Sequence, residues 1–181
     1  MPKRPSRSKT SAPTSEHERR CGGLVAGVDE AGRGCLAGPV YAAAVILPDH
    51  LLSSDIGIRD SKLLSAPKRE ALAERIQQEA VWAVASIDPA EIDEINILNA
   101  AMKAMAQAVQ GLSKTPTHCL IDGNRLPADL PCPATAVIGG DRQCVSIAAA
   151  SILAKPPRTL LWSARSPRCS MPGRPALWKV R

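Results

Sequence analysis

Five short apolar runs, at 24–29, 39–47, 81–87, 118–122 and 134–138, alternate with stretches of helical character. That alternation constrains the fold more than any other feature of the chain. Short runs of small and β-branched residues bounded by Gly, Pro, Asn or Asp read as strands. A short Gly-rich gap joins the first two runs, as expected for adjacent strands. Ser65 reads as an N-cap, with Pro67 in the first turn of a helix that reaches about Glu79 and turns Leu72 and Ile76 inward. Asp88-Pro89-Ala90-Glu91 is a capping-box pattern with Pro at the first helical position. It opens a long helix, or two shorter ones, to about Gly111. Residues 145–155 are nearly all apolar and read as a buried helix. The order β-β-α-β-α-β-β-α supplies helices to both faces of a sheet. It predicts a layered α/β domain with a mixed sheet.

The formal charge is +6, and it belongs to the two ends. Residues 1–20 carry six Lys/Arg against two Glu, and residues 156–181 carry six Lys/Arg and no acid. The body between them holds more acids than bases. The ends would draw in a polyanion, whereas the body offers carboxylates suited to metal ions. Residues 1–22 read as a disordered basic tail without an apolar signal core. None of the six cysteines forms a C-x-x-C pair, which argues against a zinc site. Cys35, Cys119 and Cys144 sit among apolar or small residues and read as buried, reduced thiols of a cytoplasmic protein. No apolar stretch is long enough to span a membrane.

Asp29 and Glu30 close the first apolar run, and Asp122 closes the fourth. If those strands are parallel neighbours, the acids emerge at one carboxyl edge, where open α/β sheets bind ligands. Adjacent strand residues point to opposite faces, so Glu30 joins Asp29 only if the backbone bends; Gly27 and Gly32 would allow that. Spacing alone leaves two readings open, a Mg²⁺ or Mn²⁺ site or ordinary carboxylates at loop ends. Gly32-Arg33-Gly34 fits either a backbone that approaches a phosphate or a plain tight turn. The dinucleotide fingerprint and the P-loop both fail at these glycines, which counts against a nucleotide-hydrolysing enzyme. Lys62, in Asp60-Ser61-Lys62, reads as a phosphate contact or a solvated loop charge.

The stretch from Ala26 to Val40, AGVDEAGRGCLAGPV, resembles the signature of the ribonuclease HII family. Asp60-Ser61-Lys62-Leu63-Leu64-Ser65, Asn96-Ile97-Leu98, Ile121-Asp122-Gly123-Asn124, Gly140-Asp141 and the run from Ser146 to Lys155 resemble its later blocks, in order. The resemblance covers about residues 24–155. It implies a ribonuclease H-like fold, a mixed five-stranded sheet flanked by helices on both faces. It implies a monomeric endonuclease that hydrolyses RNA in RNA–DNA hybrids and nicks 5′ of single ribonucleotides in duplex DNA. The implied cofactor is Mn²⁺ or Mg²⁺ in a two-metal site. Asp29, Glu30 and Asp122 correspond to three of that family's four metal-site acids. Gly32, Arg33 and Gly34 correspond to the element that reads the ribose 2′-hydroxyl, the group that tells RNA from DNA. Lys62 falls among the substrate contacts.

Beyond Lys155 the chain departs from this pattern. The family's fourth acid should follow within a few residues, in a Thr-Arg-Asp-like stretch, but Pro156-Pro157-Arg158-Thr159 stands there. The family's later junction-stacking tyrosine is missing too, since Tyr41 is the only tyrosine and lies in the second apolar run. The organisation expected is a basic tail at 1–22, a C-terminally truncated catalytic domain at 23–155, and an aberrant Pro/Arg-rich tail at 156–181. A shifted reading frame would explain the change of composition. Translating the other two frames past the Lys155 codon tests it, since one should restore an Arg-Asp followed by Tyr-Gly. The rival expectation is a catalytically inactive remnant that binds nucleic acid through Arg33, Lys62 and the basic ends.

Overall fold

The sheet is built around a central strand with one antiparallel and one parallel neighbour. In the computed structural model, which describes residues 12–34, 38–53, 57–58 and 65–155, that strand is β1, Val25–Ala31. It pairs antiparallel with β2, Val40–Ile46, which pairs antiparallel with β3, Val81–Ile87. On its other side β1 pairs parallel with β4, His118–Asp122, and β4 pairs parallel with β5, Ala134–Val137. The strand order is therefore β3-β2-β1-β4-β5, a mixed five-stranded sheet.

Helices cover both faces. Three follow β2 and β3: α2 at Asp49–Ser53, α3 at Ala66–Glu79 and α4 at Pro89–Ile95. Helix α5 is Ile97–Gln110 and α6 is Val145–Leu153. Alternate residues of β2 divide the core. Ala42 and Ala44 pack with α5, whereas Ala43 and Val45 pack with α3 and α6. The sheet face under α5 is rich in alanine, and α5 answers with Ala100, Ala101, Ala104 and Ala108. Small side chains on both surfaces let helix and sheet approach closely. Every residue of α6 is buried, as its apolar sequence demands.

Several local expectations are met at the atomic level, and others are corrected. Asp88 Oδ1 accepts from the Glu91 N–H at 2.9 Å and so caps α4. The long helix is two helices, because Asn96 has a left-handed φ of 66°. Its side-chain oxygen accepts from the Leu98 and Asn99 N–H groups and starts α5 afresh. Ser65 sits before α3 with an extended backbone but makes no side-chain cap bond. Helix α2 and a 3-10 turn at Gly140–Arg142 are additional.

The tail expected to be disordered over 1–22 contains a helix, α1, at Glu16–Cys21. Two long-range ties hold it. Thr14 bridges to Cys144, and Glu18 Oε1 accepts from both the backbone N–H and the hydroxyl of Ser146, at 2.8 and 2.6 Å. Composition predicted disorder because it cannot register a buried partner over a hundred residues away. Residues 1–11 and 156–181 lie outside the described residues, and so do Cys35, Asp60, Ser61 and Lys62.

Candidate metal centre

The parallel pairing of β1 with β4 sets the position of the acids. Val28 stands opposite Ile121, so Asp29 and Asp122 follow as the next residues at the carboxyl edge. Val28 and Ile121 both pack with α5, which sends Asp29 and Asp122 to the α6 face. The pleat assigns Glu30 to the other face, yet its carboxylate still joins them. One oxygen from each of Asp29, Glu30 and Asp122 lies within 4.8 Å of the others. Strand β4 ends at Asp122, and that open flank of β1 gives Glu30 room to turn.

The bend expected from Gly27 is absent, since β1 runs unbroken through Ala31. Gly27 serves another purpose. A Cβ there would lie 2.1 Å from the Ser146 carbonyl carbon, so glycine lets α6 press its backbone against β1. Gly32 does have a left-handed φ, 105°, and begins the turn after the strand. A Cβ on Gly32 would meet the Pro39 carbonyl oxygen at 2.8 Å.

Each acid is oriented by a partner. Asp29 Oδ1 accepts from the Glu30 N–H at 2.8 Å, and Ser151 on α6 also hydrogen-bonds its carboxylate. Asp122 Oδ1 accepts from the Gly140 N–H at 2.7 Å. Glu30 Oε1 pairs with Arg33 Nη1 at 3.0 Å. Asp29 is 6% exposed. Burial, with the nearby charges of Asp122 and Glu30, raises its pKa to about 7 from 3.8, against the opposing hydrogen bonds from Ser151 and Glu30. The site therefore concentrates three carboxylates, one of which is paired with Arg33. Hard oxygen donors with excess charge fit Mg²⁺ or Mn²⁺.

The structure thus brings Asp29, Glu30 and Asp122 together and puts Gly32, Arg33 and Gly34 in the turn beside them. Lys62 falls outside the described residues. Reading the residues one by one missed Ser151 and Gly140. The usable signal was the two serines of a mostly apolar helix and a glycine pair closing a strand.

A sheet of this order, with clustered carboxylates at the carboxyl edge of β1 and β4, defines a ribonuclease H-like fold with a candidate metal centre. The family model described as ribonuclease HII matches residues 26–167. The chain belongs to the ribonuclease HII family. That match passes Lys155, so the resemblance extends further than the quoted motifs. A ribonuclease HII of Paracoccus denitrificans is 56% identical over 132 residues, 73% of this chain and 62% of that protein. One from Neisseria gonorrhoeae is 55% identical over 137 residues, 75% of this chain and 69% of that protein. The matched part thus spans less than two thirds of the Paracoccus relative. Among solved structures, the ribonuclease H2 of Pyrococcus horikoshii matches with a TM-score of 0.64 and 29% identity, over 72% of this chain and 69% of that one. Among the described residues, no helix is long and apolar enough to cross a membrane.

Proposed function

We propose that this chain is a divalent-metal-dependent endoribonuclease. It hydrolyses the RNA strand of RNA–DNA hybrids and nicks 5′ of single ribonucleotides in duplex DNA, as a monomer in the cytoplasm. The observation that carries the proposal is the convergence of three carboxylate oxygens within 4.8 Å at the carboxyl edge of the sheet. Asp29, Glu30 and Asp122 are the residues that would hold Mn²⁺ or Mg²⁺ in a two-metal arrangement. The cation, when bound, supplies Lewis acidity for phosphodiester hydrolysis. The chain's own groups do the positioning. Ser151 and the Glu30 N–H orient Asp29, and the Gly140 N–H fixes Asp122. The Gly32-Arg33-Gly34 turn brings backbone close to a ribose, where a 2′-hydroxyl can be sensed. Arg33 and Lys62 contribute positive charge for the phosphates.

One sequence fact favours a second reading, a nucleic-acid-binding remnant without catalysis. Residues 156–181 contain no acid to stand as the family's fourth carboxylate. A metal held by three groups is less tightly positioned, and activity falls accordingly. The test is a DNA duplex carrying one ribonucleotide, incubated with and without Mn²⁺. Metal-dependent nicking 5′ of the ribonucleotide, abolished in Asp29→Asn, supports the enzyme. Binding without nicking, unchanged in Asp29→Asn, supports the remnant and overturns the proposal.

A further inference from the structure

Two sulfurs meet on the sheet face opposite the carboxylates. Cys119 lies in β4 and is fully buried, and Cys132 lies partly exposed in the segment leading to β5. Their Sγ atoms are 3.4 Å apart. The contact is built by the backbone. The Cys119 N–H donates to the Pro133 carbonyl at 2.9 Å, and Cys119 stands opposite Ala134 in the β4–β5 ladder. Residues on either side of the sulfur pair are thus fixed to one another, and a small side-chain rotation closes the gap to the bond length of a disulfide, about 2.05 Å.

We propose that Cys119 and Cys132 form an oxidant-accepting thiol pair that closes to an intramolecular disulfide and reopens with a dithiol reductant. Hydrogen peroxide serves as the oxidant. The Cys132 sulfur, the one solvent can reach, attacks a peroxide oxygen; the O–O bond breaks, water leaves and a sulfenic acid remains. The Cys119 sulfur then attacks the Cys132 sulfur, the S–O bond breaks, and the Cys119 proton leaves with the departing hydroxide as a second water. Two thiols lose two electrons in all, and one peroxide becomes two waters. Burial, with Cys132 beside it, raises the Cys119 pKa and keeps it a thiol, so the oxidant meets Cys132 first.

The bond would staple the connection that carries Gly123 and Asn124 to the strand that carries Asp122. Cys119 packs with the α5 side of the core, whereas Asp122 belongs to the α6 side. Oxidation should therefore stiffen the β4–β5 connection without altering metal binding.

The experiment uses the full chain, reduced, desalted and exposed to a small excess of hydrogen peroxide, then capped with N-ethylmaleimide and digested with trypsin without reductant. Cleavage after Lys114, Arg125 and Arg142 places the two cysteines in separate peptides, 115–125 and 126–142. The expected product is those two peptides joined, two mass units lighter than their sum and separated by dithiothreitol. Mn²⁺ titration of the oxidised and reduced chains should give affinities within about twofold, since Ser151 and Gly140, which orient Asp29 and Asp122, lie on the α6 side and the sulfurs on the α5 side. Recovery of both peptides capped by maleimide, after the exposed Cys21 has been oxidised, overturns the proposal. So does linkage of Cys132 to a cysteine other than Cys119.

Discussion

Asp29→Asn should make the metal-free protein more stable at neutral pH, although it removes a group central to the site. The parent carboxylate has a pKa of about 7 in the folded chain and 3.8 as a free group. Between those values the native state holds a proton that the unfolded chain has released. Stability therefore falls as pH rises from about 4 to about 7, and is level on either side of that window. Each pKa unit is worth about 1.4 kcal/mol, so the charged Asp29 costs the apo protein about 4 kcal/mol by pH 8. Asparagine has the same shape and no charge, so the variant escapes the cost. Urea denaturation in excess chelator, run on both proteins at pH 5, 6, 7 and 8, measures the difference. Asp29→Asn should gain on the parent by about 1.4 kcal/mol per pH unit across the window. Mn²⁺ should then reverse the ranking at pH 8, by stabilising the parent far more than the variant. A stability difference that stays constant from pH 5 to 8 would refute the argument that burial, Asp122 and Glu30 together hold Asp29 short of ionisation.

Two further substitutions probe the architecture that places the acids. Gly27→Ala drives a methyl into the α6 backbone and should cost about 3 kcal/mol or more. A urea midpoint equal to the parent's would contradict the close approach of α6 to β1. Asn96→Ala removes the cap on α5 and puts alanine at a left-handed φ, and should cost about 2 kcal/mol by the same assay. Asn96→Gly should recover the conformational part of that loss and leave the cap part.

Much of the fold was legible because strands and helices carry local signals. Residues 81–87 and 118–122 match β3 and β4 as read, and at the start of α4 the Asp88 half of the capping box is present, whereas the Glu91 side chain pairs with Lys103. The acid cluster was legible as far as chain direction allowed. Parallel pairing of β1 with β4 was a condition in the sequence reading and is an observation in the structure. What escaped were features set by approach between distant segments. Gly27 looked like a hinge and is a packing surface, because its neighbour is Ser146. Ser151 reaches Asp29 from a helix whose composition announces only burial. The contact between Cys119 and Cys132 depends on the β4–β5 register, which no spacing rule encodes.

Glu18 bears on the order in which the molecule can be made. It is buried, it grips the first turn of α6 through Ser146, and among the described residues its Oε2 has no hydrogen-bond partner. During synthesis Glu18 emerges early, whereas Ser146 follows 128 positions later. Until then the carboxylate is solvated and α1 has no anchor. A delay of 93 positions likewise separates Asp29 from Asp122. Contacts of such long sequence separation form late and slowly, because the loop between them must first be ordered. The nascent chain can therefore fold its β1–β2–β3 meander well before it possesses a metal centre. Helix α6 does two things when it arrives: it seals the core and gives the N-terminal segment its place.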